Sequence, residues 1–195
     1  MNITKRLSLL CFVLGLTIAA NGQNIAVKTN LFYDAGLNVN AGVEVGLAPR
    51  WSVDLSGDYN RWTIREHKWK HWLVQPELRY WFCDRFVKHF VGVHALGGQF
   101  NIGNLPVPEG MKFFGLDISR LSQYRYQGWG VGAGIAYGYA LPLGYHWNLE
   151  FEVGAGYVFL DYDRYACTDC GRKVDSDDHH YVGPTKAAIN LVYVF

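Results

Sequence analysis

Three groups of residues have the types and spacing for chemistry. Cys167 and Cys170, in the run CTDC, precede the acidic and histidine-rich stretch DSDDHH from Asp175 to His180. At an oxidising surface two cysteines so placed read first as a local disulfide. The alternative is a zinc site built from Cys167, Cys170, His179 and either an aspartate or His180. One CxxC lacks the second ligand pair of a zinc-finger spacing, so no metal is expected. His67 and His71, with Glu66, could supply a base and its orienting acid, but no GxSxG or comparable nucleophile setting accompanies them. Glu150 and Glu152, two residues apart, fall on one face of a strand and could form an acid pair. Inside a filled interior such a pair is structural. No cofactor is expected, and Cys83, without an evident partner, reads as a free thiol.

These residues must be positioned by strands. No stretch beyond the N-terminus approaches the 18 uninterrupted apolar residues that a spanning helix needs. Period-two alternation instead marks eight segments, near 24–33, 38–47, 51–62, 71–82, 88–101, 124–141, 146–162 and 184–195. Connections at 48–50, 83–87 and 142–145 are short, whereas those at 34–37, 63–70, 102–123 and 163–183 are mostly longer and more polar. This alternation predicts an all-β chain, an eight-stranded antiparallel up-and-down transmembrane β-barrel with both termini at the turn end.

Side-chain register separates two faces. Ile25, Val27, Leu31, Val39, Val43, Val45, Val53, Leu55, Val74, Leu78, Val91, Val93, Val131, Ile135, Leu149, Phe151, Val153, Ile189 and Leu191 share one. Its charged members, Arg61, Arg125 and Asp161, fall at loop ends, where headgroups and water can solvate them. The opposite face reads as polar throughout. It carries an expected ion-pair network of Lys28, Glu44, Asp54, Asp58, Glu77, Arg79, His94, Glu150, Glu152 and Lys186, together with Asn30, Asn40, Gln75, Asn148 and Asn190. A soluble sandwich would invert this arrangement. Trp51, Tyr80, Phe82, Tyr139, Trp147, Tyr193 and Phe195 form an aromatic band near the turns. Tyr33, Tyr59, Trp72, Trp129, Tyr157 and Phe159 form a second near the loops, as two membrane interfaces require. Gly128, Gly130, Gly132, Gly134 and Gly138 turn inward and leave room for longer neighbours. Pro76 lacks a donor, so a bulge or solvated gap is expected there.

Both ends suggest an address. Residues 1–22 carry Lys5 and Arg6, an apolar core from Leu7 to Ala20, and small residues suited to cleavage after Gly22, so they read as a signal peptide. Cys11 lies within the apolar core behind the large Leu10, which does not suit a lipobox. Residues 23–195 then form the barrel domain, in the outer membrane with its loops extracellular. Leu191, Tyr193 and Phe195 resemble the terminal signal that the barrel-assembly machinery reads in outer-membrane barrels. The formal net charge of +1 gives no reason to expect a nucleic-acid partner.

The runs KTNL (Lys28 to Leu31), PELRYW (Pro76 to Trp81), GVHALGGQFN (Gly92 to Asn101), YQGWGVGAG (Tyr126 to Gly134), WNLE (Trp147 to Glu150), LDYDRY (Leu160 to Tyr165) and GPTK (Gly183 to Lys186) cover essentially the whole chain after residue 22. Together they resemble the Bacteroidota outer-membrane β-barrel family catalogued as domain of unknown function 3575. The resemblance implies a small outer-membrane protein, in a family sometimes associated with fimbrial genes, and brings no established activity. The expectation is therefore a monomer with a structural or interaction role, displaying loops 102–123 and 163–183 to outer-membrane lipid, lipopolysaccharide or a surface protein. The rival is a rim-located lipid hydrolase or acyltransferase, and behind it a narrow channel.

Overall fold

The computed structural model describes residues 24–64, 67–103, 112–113, 116–117, 124–166 and 171–195. The expected signal peptide with Cys11, and also Glu66, Cys167 and Cys170, lie outside the described residues. The strands are β1 (Ile25–Asn30), β2 (Val39–Ala48), β3 (Trp51–Ile64), β4 (His67–Trp81), β5 (Lys88–Gly103), β6 (Lys112–Phe113), β7 (Leu116–Asp117), β8 (Arg125–Pro142), β9 (Trp147–Tyr165) and β10 (Lys173–Val194). β6 and β7 pair only with each other. The other eight are antiparallel and close into a ring, β1-β10-β9-β8-β5-β4-β3-β2, so every long strand has two neighbours and no edge is left open.

Alternation explains the two faces of this ring. Val93, Ile135 and Val153 point out and are more than 60% exposed, whereas Glu44, Arg79 and His94 point in and are at most 1% exposed. Each step of one residue along a strand swaps the face, so the alternating apolar and polar letters become an apolar exterior and a charged interior. Inward glycines on β8 serve their neighbours. A Cβ at Gly134 would lie 2.9 Å from the His94 ring, and one at Gly138 would strike the Phe90 ring.

The structure corrects several boundaries. β1 stops at Asn30, whose side chain caps the short helix α1 (Leu31–Ala35) by accepting from the Phe32 amide at 3.1 Å. Leu31 and Tyr33 therefore sit on a helical turn and not on a strand. β3 and β4 pair up to Ile64 and His67, so most of segment 63–70 is hairpin ladder. β10 begins at Lys173 and pairs with β9 through the whole acidic run. Both faces of these extensions meet water, so the hydrophobic alternation fades while the backbone ladder continues.

Pro76 pairs with Leu55 on β3, but toward β5 the ladder runs from Glu77–His94 to Val74–Gly97 without pairs between. The two flanking pairs stay in register, so the missing donor produces a gap and not a bulge. A bulge does occur on β10, between Pro184 and Lys186.

The interior also departs from a uniformly polar face. At the turn end Ala26, Trp81, Phe86, Phe90, Ala140 and Val192 form a buried apolar floor. The Trp81 ring lies 4.6 Å from Phe90 and 6.0 Å from Phe86. Phe86 reaches this floor from the turn after β4 with a positive φ of 62°, a conformation that a bulky residue adopts only when its surroundings hold it there. One restraint is the Asn148 amide, which donates to the Phe86 carbonyl at 2.6 Å.

Candidate functional site

Above the aromatic floor lies the ionic centre of the ring. Arg79, on β4 and fully buried, donates Nη1 to Glu44 at 2.7 Å and to Glu150 at 3.1 Å, Nη2 to Glu152 at 2.7 Å, and Nε to Glu77 at 2.9 Å. Its guanidinium stands 4.5 Å from the centre of the Phe90 ring, which joins the charged layer to the apolar one. Lys28 reaches across from β1 to Glu44 at 2.6 Å, Asp54 at 3.1 Å and Glu150 at 3.4 Å. Lys186, on β10, meets Glu77 and also Glu152 at 3.0 Å. Asn190 donates to Glu150 at 2.8 Å, and Ser52 links Glu44 to the Trp81 indole.

Eight of the ten network candidates are thus brought together, and two stand apart. Asp58 is buried nearer the loop end and pairs with His71. His94 bonds the Thr185 hydroxyl at 2.8 Å and no carboxylate among the described residues. A cavity of about 30 Å³, lined in part by Asp54, Asp58, Gln75 and Tyr33, lies between the ionic centre and the loop end.

This arrangement holds charge in place and does not expose it for catalysis. Glu150 and Glu152 both carry Arg79 hydrogen bonds, so neither is a free acid or base. His71 has an orienting carboxylate, yet among the described residues no hydroxyl or thiol hydrogen-bonds to it. His179 and His180 are adjacent on one strand and point to opposite faces. No group of three His, Cys, Asp or Glu side chains among the described residues is placed to hold a metal ion. Cys83 is exposed and free.

Leu191 and Tyr193 lie on the closing strand β10, and Phe195 directly follows its last residue. Leu191 pairs with Thr29 and Tyr193 with Val27. The Tyr193 ring contacts Trp147 at 5.0 Å and Phe195 at 5.1 Å, and the Phe195 amide donates to the Ile25 carbonyl at 3.0 Å. Sequence reasoning missed the apolar floor, although its signal was present. Trp81 follows Arg79 by two and Phe90 precedes His94 by four, so both share the inward register.

Fold and site together define an all-β protein whose eight antiparallel strands form a closed ring with an apolar exterior and an ion-paired interior. The chain belongs to the family described as protein of unknown function (DUF3575), whose model matches residues 8–195. Neither the curated proteins nor the solved structures contain a match to it.

Proposed function

We propose that the chain is a monomeric outer-membrane β-barrel of Bacteroidota, delivered with a cleaved signal peptide and inserted by the barrel-assembly machinery. Its role is structural or interactive at the cell surface. The observation that carries the reading is inverted polarity: the exposed wall is aliphatic, with aromatics toward both ends, while Arg79 and its carboxylates are buried inside. Water would favour the opposite arrangement, and hydrocarbon favours this one. The apolar floor and the ion cluster both stand across the interior, which supports a rigid body over a channel.

The surface elements on offer are then the loop-end extensions, above all the β9–β10 ribbon, with lipid, lipopolysaccharide or a surface protein as contacts. A test replaces residues 164–180 by a short turn and measures insertion, lipid profile and co-purifying partners from the native membrane. Insertion and lipid composition should stay normal while a partner is lost. Altered lipid A with unchanged partners would overturn the interaction reading in favour of the rim enzyme. Purified full-length protein should also migrate differently on a gel with and without boiling, and should partition into lipid vesicles.

A further inference from the structure

Two ladder pairs near the loop ends bring like charges face to face on the outer wall, and their surroundings differ. On β9 and β10 Asp161 lies directly opposite Asp178, and the His180 imidazole stands 3.5 Å from the Asp178 carboxylate. On β3 and β4 Arg61 lies directly opposite Lys70, and among the described residues neither makes an ion pair or a side-chain hydrogen bond. Side chains so paired have Cβ atoms about 5 Å apart, and like charges there repel unless an anion lies between them. The acidic pair has a base beside it. The basic pair has no counter-charge of its own.

Its height along the strands says what could supply one. Arg61 and Lys70 each stand two residues toward the loops from an exposed aromatic, Tyr59 and Trp72, which are themselves opposite across the ladder. In the membrane reading that aromatic pair marks the outer interface. Two residues further, about 7 Å along the strands, bring the cations to the level of lipid phosphates. Arg61 and Lys70 line one end of an outer groove of about 470 Å³ that crosses β5 and β8. Asp161 and Asp163 line its far end on β9, three strand spacings or about 14 Å from Lys70. At that distance salt screens them, so they do not neutralise the basic pair. The neighbour opposite Lys70 on β5 is the uncharged Asn101.

We propose that Arg61 and Lys70 together hold a phosphate monoester of an outer-leaflet glycolipid, the phosphorylated sugar end of lipopolysaccharide. A monoester carries about −1.5 to −2 charges at pH 7 and three acceptor oxygens, which balance two cations and let the guanidinium and the ammonium each donate to it. The phosphodiester of a phospholipid carries a single negative charge and leaves the pair half compensated. Tyr59 and Trp72 lie beneath, where the acyl region of the same lipid begins. The assignment rests on the membrane reading above and names the lipid contact within it.

Native mass spectrometry of the full protein released from detergent tests it, with three added lipids: lipid A bearing its phosphate monoester, the same lipid A dephosphorylated, and phosphatidylglycerol. The phosphorylated lipid A should be retained at least about tenfold over the other two, as loss of a charge-assisted contact predicts. Excess inorganic phosphate should not displace it. Replacing Arg61 and Lys70 together by Ala should bring its retention down to the dephosphorylated level, while Arg61→Lys should keep most of it. Lys173→Ala, which removes a cation from the β9–β10 ribbon, should leave it unchanged. The urea midpoint gives a second readout. Phosphorylated lipid A should raise the midpoint of the wild-type protein and not that of the double variant, because a ligand bound only by the folded state stabilises it. Without lipid the double variant should not fall below wild type, since its change removes a repulsion. Heat-modifiable mobility and vesicle insertion are measured on each variant. Normal insertion with equal retention of the three lipids, with retention unchanged in the double variant, or with an equal loss in Lys173→Ala overturns the glycolipid site alone, as does displacement by inorganic phosphate. Failure of the wild-type protein to insert overturns the membrane reading and this site with it.

Discussion

Arg79 and Arg164 both occupy the inward register of the same ring, and both face carboxylates. Arg79 is fully buried and touches carboxylates from β2, β4 and β9. Arg164 sits in the β9–β10 extension, where its pair with Asp175 at 2.7 Å leaves the aspartate side chain 53% exposed. The same ionic contact therefore has two different consequences. In the lumen the charges have lost their water and hold each other in one geometry, so loss of the shared cation leaves buried carboxylates uncompensated. In the extension water competes for both ions, and the backbone ladder keeps its form without them.

Removing Arg79 should have the largest effect and tests the buried half of the comparison. Arg79→Met keeps bulk but strands Glu44, Glu77, Glu150 and Glu152 without their shared cation. The expected cost is about 5 kcal/mol, near the top of the range for breaking a buried pair. It would be read as a lowered urea midpoint of unfolding from detergent and a weakened heat-modifiable band. A midpoint close to wild type would mean that water reaches the cluster and that the two arginines are alike.

Next in size is the aromatic floor. Trp81→Ala opens a cavity beneath Arg79 and leaves the Ser52 hydroxyl without its indole donor. Large-to-small changes of this kind cost about 3–5 kcal/mol, and the lower end is expected if Phe86 and Phe90 relax into the space. The measurement is the same midpoint. An effect below about 1 kcal/mol would show that the ionic layer alone determines the stability of the interior.

A change within the cluster should be much milder when it removes an acid. Five carboxylates, Glu44, Asp54, Glu77, Glu150 and Glu152, surround three cations, Lys28, Arg79 and Lys186. Glu152→Gln retains a hydrogen-bond acceptor for Arg79 and removes one of the excess negative charges. The expected shift is within about 1 kcal/mol in either direction, against the large loss for Arg79→Met. Equal damage from the two variants would show that each contact matters by itself, whatever the balance of charge.

The central strands were legible because a buried interior and an apolar exterior force a period of two. That is why Lys28, Glu44, Glu77, Arg79, Glu150 and Lys186 could be assigned to one face from spacing alone. Spacing does not report depth, however. Trp81 and Arg79 share a face, and only the height of each within the ring separates an apolar floor from an ionic centre. The β9–β10 extension escaped for the opposite reason: Asp175 to His180 form a strand whose two faces both meet water, so no alternation marks it. Gly97 on β5 lies opposite Val131 on β8, far along the chain, and a pattern along one strand cannot show which neighbour will flank it.

The smallest effect belongs to the exposed half and is read most directly by pH. In the extension, beyond the Trp129 and Phe159 aromatic pair, Lys173 donates to Asp163 at 2.6 Å and Ser176 adds a hydrogen bond at 2.8 Å. The Lys173 bond, and then the Ser176 bond, hold the Asp163 carboxyl below its ordinary range, and the same Asp163 bond raises Lys173. The aspartate's contribution is therefore fully present above the usual carboxylate value of about 4 and is lost as pH falls through its lowered value. The lysine's contribution is fully present below about 10.4 and is lost as pH rises through its raised value. Between these limits the pair should be insensitive to pH, and the unfolding midpoint should not move when Lys173 is replaced by Met. A carbon-detected titration of Asp163 should nevertheless show its midpoint rising toward the ordinary value in Lys173→Met. An unchanged Asp163 midpoint in that variant would mean that the ribbon's ions do not pair in solution, and the contrast with Arg79 would then be one between a formed network and none.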